Sequence, residues 1–350
     1  MPRAPAGVPT VSEPAPPEIL MLRPMHPVVA EALGARLTLH RVDGAADPEA
    51  LLREVAPRIR GLAVGAQTPV DAGLLDRLPK LEIVANFGVG YDTVDARAAA
   101  ARGVVVTNTP DVLTDEVADL TLGLLLATLR RIPQADRYLR AGRWPQAPFP
   151  LSPSLRGRRI GILGLGRIGR AIARRLEGFG VEIAYHGRSR QADVPYAYHP
   201  TLVGLAEAVH VLIVVAPGGP GTAGLIDAAV LRGLGPEGVL INVARGSLVD
   251  EAALAAALAD GTIQAAGLDV FADEPHVPAD LVACDNAVLL PHVGSASHHT
   301  RAAMGRLVAD NLLSWFEGRG PLTPVAETPW KAGAEPSEAP GPETSRKVQA

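Results

Sequence analysis

The stretch Gly164-Leu165-Gly166-Arg167-Ile168-Gly169 decides the fold. An apolar run carrying Ile160, Ile162 and Leu163 leads into it, and Ile168, Ile172 and Leu176, spaced four apart, lead out. Strand, glycine turn and helix in that order are the setting in which G-x-G-x-x-G marks a dinucleotide site. Gly164 permits the tight turn, Gly166 lets backbone approach a pyrophosphate, and Gly169 lets helix and strand pack closely. The amides at the helix start then face the phosphates. A glycine turn without a ligand is the alternative, and the flanking strand and helix weigh against it. The next strand ends Ala184-Tyr185-His186-Gly187-Arg188-Ser189-Arg190. An NAD site places Asp or Glu about 20 residues past the loop, to accept from the ribose 2′-hydroxyl. Here two arginines and a serine stand instead. A carboxylate repels a 2′-phosphate, whereas a guanidinium binds it bidentately. Gly187, Arg188, Ser189 and Arg190 thus predict NADP(H) in preference to NAD(H). A solvated basic loop is the alternative.

Beyond this turn the second half of the chain repeats the pattern. Strand candidates are Arg159–Leu163, Glu182–Tyr185, Val211–Val215, Val239–Val243, Ala266–Val270 and Ala287–Leu290, with a strongly helical run at Glu251–Ala259. The first half has its own set: Glu18–Leu22, Thr38–Val42, Gly61–Ala66, Leu81–Phe87 and Val104–Asn108, with helices between them. Repeated β-α alternation predicts α/β architecture with two doubly wound parallel sheets, one per domain. A helical stretch Asp115–Arg140 separates the sets, with Thr114 as N-cap and Asp115 and Glu116 in its first turn. A last helix spans Thr300–Glu317. Residues 1–17 are proline-rich, and residues 326–350 are rich in Pro, Glu, Gly, Ala and Ser; both read as disordered tails.

Composition removes several classes. The chain has 350 residues, 47% apolar and 20% charged, as a soluble two-domain protein should. Its formal charge is −4 and only Lys80, Lys331 and Lys347 are lysines, so no basic excess points to nucleic acid. The longest apolar stretch, around Leu120–Leu129, is shorter than the roughly 20 residues a bilayer span needs. The reading is a cytoplasmic protein without a membrane partner. One cysteine, Cys284, excludes an internal disulfide and a cysteine metal cluster. His298 and His299 follow His292, but no carboxylate or imidazole spacing suggests a metal site. His26, His40 and His210 read as structural, and Cys284 as an unactivated thiol.

Three strand ends carry candidate chemistry: Asn242-Val243-Ala244-Arg245-Gly246, then Gly267-Leu268-Asp269-Val270-Phe271 with Glu274-Pro275, then Leu290-Pro291-His292-Val293-Gly294. Parallel sheets place ligands at such ends. Reducing a ketone needs a hydride donor, a proton donor and a group that holds the carbonyl. His292 suits the proton donor. Glu274 can hydrogen-bond its ring and fix its orientation. Arg245 can grip a carboxylate or polarise the keto oxygen. Asp269 reads as a residue on the cofactor side or behind the site. Any one of these alone is commonly structural; the set downstream of a dinucleotide loop carries the weight.

With these motifs the chain resembles the D-isomer-specific 2-hydroxyacid dehydrogenase family. The matching stretches are Asn86-Phe87-Gly88-Val89-Gly90-Tyr91-Asp92, the glycine loop, Val243-Ala244-Arg245-Gly246, Gly267-Leu268-Asp269-Val270 and Pro291-His292, within roughly Glu18 to Val325. Val215-Ala216-Pro217-Gly218-Gly219 and Tyr185-His186-Gly187-Arg188 are similar to the NADP-dependent glyoxylate/hydroxypyruvate reductase branch. The resemblance implies a Rossmann-type dinucleotide domain, 119–295, inserted in a flavodoxin-like substrate domain, 18–118 with 296–325, and catalysis in the cleft between them. It implies Arg245, Glu274 and His292 as the catalytic set. The cofactor set is then Gly164, Gly166, Arg167, Ile168, Gly169, Gly187, Arg188, Ser189, Arg190, Val215, Ala216, Pro217, Thr222, Val243, Ala244, Asp269 and Gly294. The substrate set is Val89, Gly90, Arg245 and Ser295, with the amides of Val89 and Gly90 on the substrate carboxylate. Independently, a Gly-x-Gly at a strand end exposes amides to an anion; an ordinary turn is the alternative.

The implied activity is reduction of a small 2-oxo acid, glyoxylate or hydroxypyruvate, to the D-2-hydroxy acid with NADPH. An arylpyruvate-type substrate competes within the class. Outside it stands a nicotinamide-sensing, corepressor-like interaction protein, which needs the cofactor site without turnover. Family resemblance also implies a homodimer through Leu120–Arg143, with Trp144 either reaching a neighbouring subunit's site or simply packing.

Overall fold

The computed structural model describes residues 15–65 and 67–330. They fall in two compact units, one within Met1–Thr109 and Gly305–Ala350, the other Pro110–Met304.

The first unit runs β1 (Glu18–Met21), α1 (Pro27–Gly34), β2 (Thr38–Arg41), α2 (Pro48–Val55), β3 (Ile59–Gly65), α3 (Ala72–Arg77), β4 (Ile83–Phe87), α4 (Ala96–Ala101) and β5 (Val105–Thr107). All strand pairs are parallel, in the order β2-β1-β3-β4-β5, the flavodoxin-like order. Every residue of β4 is buried, as a parallel strand covered on both faces requires. Asp47, Asp71 and Asp95 cap α2, α3 and α4, accepting from Ala50, Leu74 and Ala98 amides at 2.9, 2.8 and 2.8 Å.

The second unit runs α5 (Thr114–Leu129), α6 (Ile132–Arg140), β6 (Arg159–Leu163), α7 (Arg167–Glu177), β7 (Glu182–His186), β8 (Ala197–Tyr198), α8 (Leu202–Ala208), β9 (Val211–Val214), α9 (Ala228–Leu234), β10 (Val239–Asn242), α10 (Glu251–Ala259), β11 (Ala265–Leu268), α11 (Ala279–Ala283) and β12 (Ala287–Leu289). A final helix, α12 (His298–Phe316), begins in this unit and ends in the first. The seven strands are parallel in the order β12-β11-β10-β9-β6-β7-β8. Successive residues of β9 alternate between two cores: Val211 and Ile213 join Ile172 and Leu176 of α7, while Leu212 and Val214 join α8, α9 and α10. Full burial of Ile172 and Leu176 stabilises the α7 face by roughly 1.5–3 kcal/mol each. Chain order reverses between β6 and β9, so the crevice for a ligand lies past their C-terminal ends.

Several sequence expectations change. The single helix Asp115–Arg140 is two helices, because Pro133 cannot continue α5 and Arg131 turns left-handed at φ 52°. Thr114 is the first residue of α5 rather than its cap, which is Leu113 without a side-chain bond. A seventh strand, β8, adds a two-residue edge. The units divide at 109/110 and 304/305, not at 118/119 and 295/296. The start of α5 belongs with the second unit because Asp115 and Asp119 both pair with Arg175 of α7. The start of α12 is tied there too, since Ser297 and Thr300 hydroxyls donate to Glu116 at 2.7 and 2.9 Å. The tail expected from 326 is packed through 330. Thr328 is 6% exposed and its hydroxyl accepts from the Val106 amide at 2.9 Å. Trp330 meets Trp315 edge-on, with 6.4 Å between ring centroids. The rest of both expected tails lies outside the described residues, apart from residues 15–17, which lead into β1.

Candidate active site

The glycine turn follows β6 at the switch point. Gly164 has φ +97°, and a Cβ there would stand 2.8 Å from the Ala216 amide nitrogen past β9. A Cβ on Gly169 would stand 2.2 Å from Gly164 O, so only glycine lets α7 approach β6. A Cβ on Gly166 would meet nothing within 4 Å. Open space beside a helix N-terminus is what a pyrophosphate cradle requires, so the residues present fit a dinucleotide. Arg167 pairs with Asp111 at 2.9 Å, both side chains largely exposed. Ile168 packs against the α7-side core.

Past β7, Arg188, Ser189 and Arg190 are exposed and carry no ion pair among the described residues. The Tyr198 hydroxyl donates to Gly187 O at 3.3 Å on one side of them, and the Gln191 amide donates to the Tyr185 hydroxyl at 2.6 Å on the other. Val215, Ala216 and Pro217 follow β9, and Thr222 turns its hydroxyl back to Pro217 O and Gly219 O at 2.9 and 3.1 Å.

Three adjacent strands, β10, β11 and β12, carry the second group at their C-terminal ends. Asn242, 1% exposed, closes the first: its Oδ1 accepts from the Ala244 amide at 3.1 Å and its Nδ2 donates to Arg245 O at 2.9 Å. The Arg245 guanidinium donates to Ala244 O at 2.8 Å. Gly246 is required because a Cβ would overlap the Phe271 backbone, 1.8 Å away. After β11, Asp269 accepts from the Val293 and Gly294 amides, both at 2.7 Å. Burial pushes its carboxyl upward, opposed by those two donors. Asp269 thereby pins the backbone just past His292, which holds a left-handed φ of 53°. Glu274 Oε1 accepts from the Phe271 amide at 3.0 Å, and its Oε2 lies 2.7 Å from His292 Nδ1. Pairing with a carboxylate assigns the ring hydrogen to Nδ1 and leaves Nε2 for another partner. Val243 and Ser295 are half-buried beside this group.

In the first unit, β4 ends at Phe87 and leads into Gly88-Val89-Gly90. Asn86, fully buried, donates from Nδ2 to Gly88 O and Gly90 O at 3.2 and 3.0 Å. Asn108 donates to Val89 O at 2.8 Å, and the Thr109 amide to Gly88 O at 2.9 Å. Three successive carbonyls are therefore held by donors. Tyr91 follows, its hydroxyl donating to Glu327 at 2.9 Å, and burial with that carboxylate pushes it up to about 12.

Sequence reading missed Asn86, Asn108, Asn242 and Gln191. The first and third stand inside quoted motifs, and their position just before a glycine turn was the available signal. His26 caps α1, His40 pairs with Glu18 at 2.7 Å, and His210 accepts from the Arg159 amide at 3.0 Å. Burial pushes the Cys284 thiol up. Among the described residues no group of His, Cys, Asp and Glu is placed to hold a metal, and no helix is long and apolar enough to cross a membrane. Trp144 is 64% exposed in the single chain.

A parallel sheet with a fitted glycine cradle at its switch point defines a dinucleotide-binding α/β protein, and comparison narrows the class. Residues 122–294 match the family profile of the D-isomer specific 2-hydroxyacid dehydrogenase NAD binding domain. Glyoxylate/hydroxypyruvate reductase A of Arabidopsis thaliana is 46% identical over 307 residues, covering 88% of this chain and 98% of that protein. Hydroxyphenylpyruvate reductase of Plectranthus scutellarioides is also 46% identical over 307 residues, with the same coverage of 88% and 98%. A crystal structure of an NADPH-dependent glyoxylate/hydroxypyruvate reductase from Sinorhizobium meliloti, in complex with NADP and malonate, is similar with a TM-score of 0.85. It is 54% identical and covers 92% of this chain and 100% of that one. The chain belongs to the D-isomer specific 2-hydroxyacid dehydrogenase family and is an NAD(P)-binding oxidoreductase.

Proposed function

We propose that the protein reduces glyoxylate and hydroxypyruvate to their D-2-hydroxy acids, taking hydride from NADPH. The observation that carries the reading is the His292–Glu274 pair at 2.7 Å, one strand end from Arg245, on a dinucleotide sheet. The identities of 46% and 54% to reductases of these acids support the substrates.

The bound nicotinamide supplies a hydride to the keto carbon. Gly164, Gly166 and Gly169, with the first amides of α7, hold its pyrophosphate. Arg188, Ser189 and Arg190 receive the 2′-phosphate. Arg167, Ile168, Gly187, Val215, Ala216, Pro217, Thr222, Val243, Ala244, Asp269 and Gly294 complete the cofactor set. The Val89 and Gly90 amides take the substrate carboxylate, and Arg245 polarises the keto oxygen, with Ser295 beside it. His292 delivers a proton from Nε2 to that oxygen as negative charge develops. Glu274 keeps the ring turned that way and stabilises the imidazolium before transfer.

The protein acts as a homodimer in this reading. Ile132, Leu139, Trp144 and Leu151 are 53%, 54%, 64% and 99% exposed, an apolar set on α6 and the arm after it that a second copy would cover.

The test follows NADPH or NADH absorbance with glyoxylate, hydroxypyruvate, pyruvate and phenylpyruvate. Fast NADPH oxidation with the first two supports the reading. Preference for phenylpyruvate moves the substrate toward arylpyruvates, in line with the hydroxyphenylpyruvate reductase relative. Cofactor binding without turnover on any acid contradicts it.

A further inference from the structure

Arg188, Ser189 and Arg190 hang between two fixed points, and the second is unusually well tied. The Gln191 amide donates to the Tyr185 hydroxyl at 2.6 Å, and Tyr185 is 1% exposed. Its side-chain Nε2 donates to Leu165 O at 3.0 Å, and Leu165 is the second residue of the glycine loop. Its Oε1 accepts from Arg170 of α7, whose guanidinium also holds both Asp193 oxygens at 2.8 and 2.9 Å. One side chain thus joins the basic loop to the glycine loop and to the helix behind it. The Gln191 amide does both jobs at once, donating from Nε2 to a carbonyl and accepting at Oε1 from a guanidinium.

A 2′-phosphate and a pyrophosphate belong to one ligand, so their separation is set by the ligand. The two loops that receive them need a matching, fixed separation. Bidentate guanidinium–phosphate contact is directional and is lost on small displacements. NADH makes no demand on the basic loop.

We propose that Gln191 is a positioning residue for cofactor choice: it locks the Arg188–Arg190 loop to the pyrophosphate loop, and so sets the preference for NADPH over NADH. The inference rests on the NADPH reading above.

The test measures Kd for NADPH and for NADH, by the fluorescence of the reduced nicotinamide, in four proteins. These are the native chain, Gln191→Ala, the nearly isosteric Gln191→Glu, and the double variant Arg188→Ala/Arg190→Ala. Gln191→Glu keeps an acceptor for Arg170 but sets a carboxylate against Leu165 O, and its size protects the fold. Both Gln191 variants should weaken NADPH on the order of tenfold, with NADH moving less than about twofold. Equal loss for both cofactors would make Gln191 merely structural and overturn the inference. So would unchanged NADPH affinity in both Gln191 variants while the double arginine variant loses its preference. A native chain that prefers neither cofactor, or a double variant that weakens both equally, overturns the NADPH reading and this inference with it.

Discussion

Two strand ends in this molecule finish in closely spaced glycines, and they are built on different plans. Past β6, Gly164 and Gly166 lead straight into α7, so donors come from a helix N-terminus and need no side chain to aim them. Past β4, Gly88 and Gly90 lead into a loop, and α4 starts only at Ala96. There Asn86 and Asn108 hold the intervening carbonyls instead. The first plan fails when a Cβ is added, because Gly169 has no room beside Gly164 O. The second fails when an amide is removed, with every glycine intact. Backbone-only cradles are specified by their glycines; cradles without a helix behind them are specified by buried side chains elsewhere.

Three variants press on this contrast. His292→Ala leaves both cradles whole and removes the proposed proton donor. It should lower kcat by about 10²-fold or more while NADPH titrates normally, and unchanged kcat would take His292 out of the mechanism. Arg188→Ala/Arg190→Ala strips charge-assisted contacts from the dinucleotide side. KM for NADPH should rise roughly 10–100-fold, with KM for glyoxylate steady. Asn86→Ala attacks the β4 side. It leaves the Gly90 carbonyl without its donor and the Gly88 carbonyl with the Thr109 amide alone, costs about 1–3 kcal/mol by denaturant unfolding, and should raise KM for glyoxylate on the order of tenfold. A normal KM for the acid would show that those amides need no clamp.

The smallest effect concerns pH. Burial and the charges of Arg159 and Arg158 lower the pKa of His210 below its usual 6.5. The unfolded chain then binds the proton that the folded chain refuses, so stability falls as pH drops below about 6.5 toward the folded value. His210→Asn keeps an acceptor for the Arg159 amide and cannot titrate. Its acid-induced drop in Tm should be smaller by about a degree or two, read by calorimetry at neutral pH and at about pH 5.

How much of this was legible depends on the range of the interaction. The glycine loop, the alternating strands and the three chemistry-bearing strand ends are local patterns, and apolar periodicity exposes them directly. Pro133 was a visible sign that Asp115–Arg140 could not be one helix, yet the left-handed turn at Arg131 follows from packing. The two-residue strand β8 is too short to carry a period. Asn86 lies on β4 and Asn108 just past β5, and Asn108 reaches Val89 O only when β4 pairs with β5. Gln191 is hidden for the same reason, since its partners Tyr185, Leu165 and Arg170 come from three elements. Thr328 and Trp330 sit in a stretch whose composition favours disorder, and their contacts with Val106 and Trp315 decide otherwise.

The central claim is that one chain holds two anions in two independently built cradles, and one crossed measurement tests it. KM for NADPH and for glyoxylate are determined in the native chain, in Asn86→Ala and in Arg188→Ala/Arg190→Ala. The account predicts an orthogonal result, with the first variant weakening only the acid and the second only NADPH. Asn86→Ala raising KM for NADPH as much as for glyoxylate, or the arginine variant doing the reverse, would contradict it.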